Sequence, residues 1–175
     1  IRFHYTGTWD YAWHVDDVAF VEGASDDIQM TTLFHGDIIN AWEYQQIPLS
    51  QSQEVVIGAI STNGGGNAQT NVTYTYDISN GSGSVASGSF PAANTTLAAA
   101  AVDTTWYPTG FTPSAADDDT LTVSVASDET DEAPNNNEAT SLFTISESIY
   151  AHDDEPNIEF QVTGTDANGD VAEFK

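Results

Sequence analysis

Apolar and polar residues alternate with a period of two along much of this chain. The pattern is strictest in NVTYTYDIS, where Val72, Tyr74, Tyr76 and Ile78 fall on one face and Thr73, Thr75 and Asp77 on the other. It returns in LTVSVAS, with Leu121, Val123 and Val125 inward, and in ATSLFTIS. EVVIGAIST, SVASGSF and DTTWYPTGF are further strand-like runs. They are separated by NGGGN at Asn63–Asn67, by NGSGS, and by the acidic stretches Asp117–Asp119 and DETDEAPNNNE. Short strands at this spacing with Gly, Asn and Pro turns predict a two-sheet sandwich. Ala98–Ala101 is the one helix-compatible run, and at four residues it predicts a strand edge or turn.

The ends read differently. Residues 1–22 predict two strands around Gly7, with a bulge near Asp16 and Asp17 where the apolar face shifts. Residues 23–27 read as a polar linker, and IQMTTLFHGDII and AWEYQQIP as two more strands. IEFQVTG and VAEF, around the turn TDANGD, predict a last hairpin. This divides the chain into terminal strands of one module at 1–27, an immunoglobulin-like β-sandwich at 28–147, and the first strands of another β module at 148–175. The fold class is all-β, an immunoglobulin-like sandwich with additional flanking strands. The opening at Ile1, inside a strand, leads us to expect a mature product or a fragment.

Charge narrows the partners. Arg2 and Lys175 stand against 27 Asp and Glu, a formal net charge of −25. Nothing here neutralises phosphates, which excludes nucleic acid, and anionic membrane surfaces fall to the same argument. No 18-residue apolar stretch exists, so membrane insertion is excluded too. Such an acidic surface suits salty, calcium-containing water outside a cell. Cysteine is absent, which removes disulfides, thiolate zinc sites and thiol nucleophiles.

Three stretches carry a resemblance. WDYAWHVDDVAFVE resembles the closing strand of jelly-roll domains in secreted Bacteroidota proteins, the type grouped with cleaved-adhesin and MAM-like modules. Gln53–Glu147, with its first strand running into Asn63-Gly64-Gly65 and its acidic loop ending in Asn135-Asn136-Asn137, resembles the CARDB-type immunoglobulin-like domain of bacterial surface proteins. IYAHDD resembles the junction before another jelly-roll. The resemblance implies a secreted, multidomain cell-surface protein, and it implies a metal position at Asp16 and Asp17.

Candidate chemistry is sparse. His4, His14, His35 and His152 form no paired-histidine motif, and no nucleophile elbow is present, so the expectation is a protein that is not an enzyme. Calcium takes six to eight hard oxygens, and Asp166, Asn168 and Asp170 offer them around Gly169, in the manner of the first half of an EF-hand loop; a turn with solvated Asp is the other reading. Calcium is thus the expected cofactor, and the clusters Asp117–Asp119 and Asp128–Glu132 are expected to stay solvated. Trp9, Trp42 and Trp106 are candidate sugar-stacking residues, with core packing as the other reading; Trp106 and Tyr107 point to opposite faces, so one ring of that pair is expected to be exposed. Asn71, Asn80 and Asn94 begin N-glycosylation patterns, and Asp119-Thr120-Leu121 resembles the O-glycosylation signal of Bacteroidota, with Thr120 as acceptor at an expected loop-to-strand junction. The expected function is a structural or adhesive extracellular module, assembling with copies of itself or neighbouring domains through strand pairing. The alternative is a carbohydrate-binding accessory module of a secreted hydrolase, with glycans as partners.

Overall fold

The computed structural model describes residues 23–36, 44–149 and 151. Ten strands make up the described fold. They are β1 (Ile28–Gly36), β2 (Gln46–Pro48), β3 (Val56–Asn63), β4 (Gln69–Thr70), β5 (Thr73–Asn80), β6 (Gly83–Pro91), β7 (Thr96–Leu97), β8 (Val102–Pro108), β9 (Asp117–Ala126) and β10 (Glu138–Ser146). One sheet has the order β1-β3-β8, the second β2-β10-β9-β5-β6, and β4 and β7 form a small pair between crossovers. All pairings are antiparallel except β2 with β10.

The first two strands divide between the sheets, and the chain crosses again from β2 to β3, from β3 to β5, from β6 to β8 and from β8 to β9. That is the connectivity of an immunoglobulin-like sandwich. Among the described residues the expected strands therefore exist and the expected inward faces are inward; the strands expected in 1–22 and 157–174 lie outside the described residues. Val72, Tyr74, Tyr76, Ile78, Leu121, Val123 and Val125 are all buried in one core with Ile57, Phe90 and Phe143. Each fully buried side chain of this kind stabilises the fold by about 1.5–3 kcal/mol relative to exposure.

Stacked rings join the two sheets. Phe90 of β6 and Tyr107 of β8 lie 4.3 Å apart at 4°, and Tyr74 packs on Phe90 at 5.1 Å. His35 of β1 reaches across to β10, with Nδ1 2.9 Å from Ser141 Oγ and its ring 5.0 Å from Phe143. Burial and these contacts make His35 a staple between sheets.

One local reading is corrected and one is met. Asp117–Asp119 is the start of β9 and not a loop, so Thr120 lies within that strand, opposite Ser79 on one side and Leu142 on the other. Ala98–Ala101 is a tight turn closed by Ala101 N–H to Ala98 O, with Ala100 at φ 61°.

Candidate functional site

Three arrangements of polar or aromatic residues stand out among the described residues. The first lies at one end of the sandwich. Residues 24–27 dock against the Asn63–Asn67 loop, where the N–H groups of Gly64, Gly66 and Asn67 donate to Asp27, Ala24 and Ser25 carbonyls at 2.8–3.1 Å. A Cβ on Gly65 would sit 2.7 Å from Ser25 O, so this close approach needs glycine. Asp26 accepts from Asn67 and Gln69, and Asp27 from Asn136. Asp131 caps Ile28 N–H at 3.0 Å, Ala133 N–H at 2.6 Å and Asn137 Nδ2 at 3.0 Å. Glu129 grips Thr70 through its N–H at 2.7 Å and its hydroxyl at 2.8 Å, and these bonds hold the Glu129 carboxyl below the usual carboxylate range. The expectation that Asp128–Glu132 stays solvated holds for Asp128 and Glu132, which are exposed, whereas Glu129 and Asp131 are half-buried and engaged with the backbone. Backbone amides thus take the place of the missing lysines and arginines as donors to these carboxylates.

The second arrangement is interior. Asp103, fully buried on β8, accepts from Asn94 N–H at 2.7 Å on Oδ1, and from Tyr74 OH at 3.0 Å and Thr105 OH at 2.6 Å on Oδ2. Tyr74 OH also pairs with Ser61 Oγ at 2.7 Å, and Thr105 Oγ1 accepts from Ala93 N–H at 2.6 Å. Burial pushes the Tyr74 phenol up, so it keeps the proton it donates to Asp103. The network ties both sheets to the segment between β6 and β7. Toward the opposite end, Asp119 faces inward at 4% exposure, where the sequence reading left it solvated. Its Oδ1 has no hydrogen-bond partner. Burial first, then Asp117 and Asp118, push its carboxyl up against the opposing bond from Asn80.

The third lies on the outer face of the β1-β3-β8 sheet. Phe34, Gly58 and Trp106 are aligned across the three strands. The benzo edge of Trp106 covers Gly58, where an added Cβ would come within 2.6 Å of Cζ3. Phe34 lies 6.2 Å from the indole at 18° between planes, and Trp106 remains 38% exposed. Trp106 and Tyr107 do point to opposite faces, as the alternation requires.

The other sequence candidates fare differently. Asp16, Asp17, Asp166, Asn168, Asp170, Trp9 and Trp42 lie outside the described residues. Thr120 is half-buried in a strand paired on both sides, away from the expected junction. Among the described residues no group of three or more His, Asp or Glu side chains is arranged to hold a metal ion, and no helix is long and apolar enough to cross a membrane. Sequence reasoning missed Asp103 altogether and read Asp119 as part of a solvated loop.

No protein-family model and no curated protein matches this chain. Among solved structures, the chain is similar to a CARDB domain from Pyrococcus furiosus, solved in complex with di-metal ions, at 13% identity and a TM-score of 0.48, over 76% of this chain and 99% of that one. It is also similar to a domain from Methanosarcina acetivorans assigned to the cell surface, at 20% identity, a TM-score of 0.40 and coverage of 73% and 98%. A β-glucosidase from Erythrobacter marinus is similar at 10% identity and a TM-score of 0.41, over 69% of this chain and 16% of its own.

Proposed function

We propose that this chain is a non-catalytic structural module that works outside the cell and joins its neighbours by strand pairing. The observation that carries this reading is the use of its polar groups. The carboxylates gathered at the loop end bind the backbone amides of Ile28, Thr70 and Ala133, and the buried Asp103 cluster is closed on itself. Groups so engaged stiffen a spacer and are poorly placed to take up a substrate.

Open sheet edges support the second half of the reading. Among the described residues β6 pairs only with β5 and β8 only with β3, and the nine residues of β6 carry no charged side chain. Edges of this kind template strand addition unless Lys or Pro blocks them; Lys175 is the chain's single lysine, and Pro91 and Pro108 stand only at the last positions of β6 and β8. The segments 1–22 and 157–174 supply the added strands in this proposal, because a hairpin alone cannot bury its apolar face. Head-to-tail contacts of this type build filaments when the rotation does not close. Deleting residues 1–22 is expected to abolish assembly seen by light scattering and electron microscopy. Assemblies that persist unchanged would remove the terminal strands as the joint.

The −25 charge sets a second expectation. At low ionic strength the self-repulsion of the surface is unscreened. The melting temperature should therefore rise as sodium chloride is added from about 0.01 M, where the screening length is about 30 Å, to about 0.15 M, where it is about 8 Å. A flat response across that range would show that net charge does not limit stability.

A further inference from the structure

We infer that the outer face of the β1-β3-β8 sheet binds a short neutral oligosaccharide, stacked on Trp106. The starting point is where charge is missing. The chain has 27 acidic residues, yet β1, β3 and β8 together contain one, Asp103, and it points inward. The outward rows read Thr32–Ile60–Thr104, Phe34–Gly58–Trp106 and Gly36–Val56–Pro108, with Val102 55% exposed beyond them. An uncharged apolar strip with hydroxyls beside it is thus built into a molecule acidic elsewhere.

The indole is held for use. Gly58 lets it lie close on the sheet, Phe34 braces it, and its remaining surface faces solvent. A pyranose ring presents one face of C–H bonds, which packs on the electron-rich face of an aromatic ring. Its rim of hydroxyls needs short polar partners, and Thr32 and Thr104 lie one row from the ring. Charge selects the sugar class: anionic glycans are repelled by the rest of the molecule, while a neutral one meets no charge on this face.

Size decides between a sugar and a second copy of the chain. Three strands at about 4.8 Å spacing and some eight residues at about 3.3 Å give a face of roughly 370 Å². A stable protein interface needs about 800 Å² per partner. The face is too small for a second copy and suited to a few sugar units.

Isothermal titration of the whole chain with soluble tetrasaccharides of glucose, mannose and N-acetylglucosamine tests the proposal. At least one should bind, and Trp106→Ala should weaken it about tenfold, the equivalent of one lost stacking contact. Thr104→Asp, at an exposed position one row from the ring, should weaken it comparably while the melting temperature holds, which guards against a misfolded Trp106 variant. Absence of binding across the panel overturns the proposal, as does binding that Trp106→Ala leaves unchanged. Concentration-dependent growth in mass that Trp106→Ala abolishes, without sugar binding, would assign the face to a second copy instead.

Discussion

Replacing Asp103 by alanine is expected to destabilise the fold by about 4 kcal/mol, a large share of the total for a domain of this size. The carboxylate is fully buried and accepts three hydrogen bonds, from Asn94 N–H, Tyr74 OH and Thr105 OH. Truncation strands those donors where water cannot compensate, and an orphaned buried donor costs about 1–3 kcal/mol. Ser61 Oγ retains Tyr74 OH as a partner and softens the loss. Asp103→Asn keeps the shape but replaces one acceptor oxygen by a donor facing other donors, so it should cost less than alanine yet more than about 1 kcal/mol. Tyr74→Phe removes one donor and leaves two, and should be the mildest of the three. Urea denaturation would give the ranking. A loss under about 1 kcal/mol for Asp103→Ala would mean that the network does not hold the sheets together.

Asp103 also shows where reading the sequence stops. In β8 the apolar residues Val102 and Trp106 fall on one face, and Asp103, Thr105 and Tyr107 on the other. Hydropathy alone would bury the first set. The structure buries the second, because Tyr107 stacks on Phe90 and Asp103 finds donors on two other segments. Partners brought in from β5 and from the residues after β6 are invisible in a local pattern. The strand β5 and the Leu121–Val125 part of β9, by contrast, were legible residue by residue, since a strand whose one face is apolar has a single register that buries it. The loop end falls between these cases. NGGGN and the acidic loop are visible as turns, but their mutual bonds through residues 24–27 depend on segments far apart in sequence. For the aromatic face, alternation announced one exposed ring in Trp106-Tyr107. Its pairing with Phe34 over Gly58 needed the register of three strands.

At Asp119 the expected effect has the opposite sign, because the native residue opposes the fold at neutral pH. The carboxyl is 4% exposed, beside Phe143 in the register of β9 with β10, and its Oδ1 has no partner. Asp117 and Asp118 add like charge, and Asn80 alone works the other way. Its folded pKa is therefore raised above the unfolded value of about 3.9. A group raised in this way binds its proton more tightly when folded. Its stabilising contribution is full below the unfolded pKa and is lost as pH rises through the folded one. Glu129, held below the usual range by Thr70, contributes above its unfolded pKa and loses that contribution as pH falls through its folded one. Stability should thus climb as pH drops from neutral toward the folded pKa of Asp119, then fall as carboxylates like Glu129 take up protons. Asp119→Asn removes the charge while keeping the shape. It should raise stability at neutral pH by about 1–2 kcal/mol, or some 3–6 °C in melting temperature, and flatten the climb on acidification. Below about pH 4, where the native carboxyl is itself protonated, the two proteins should melt together. Thermal unfolding followed by circular dichroism at fixed ionic strength, from acid to neutral pH, gives both curves. If the variant melts below the parent at neutral pH, or if the curves run parallel throughout, Asp119 is not the strained group its surroundings make it.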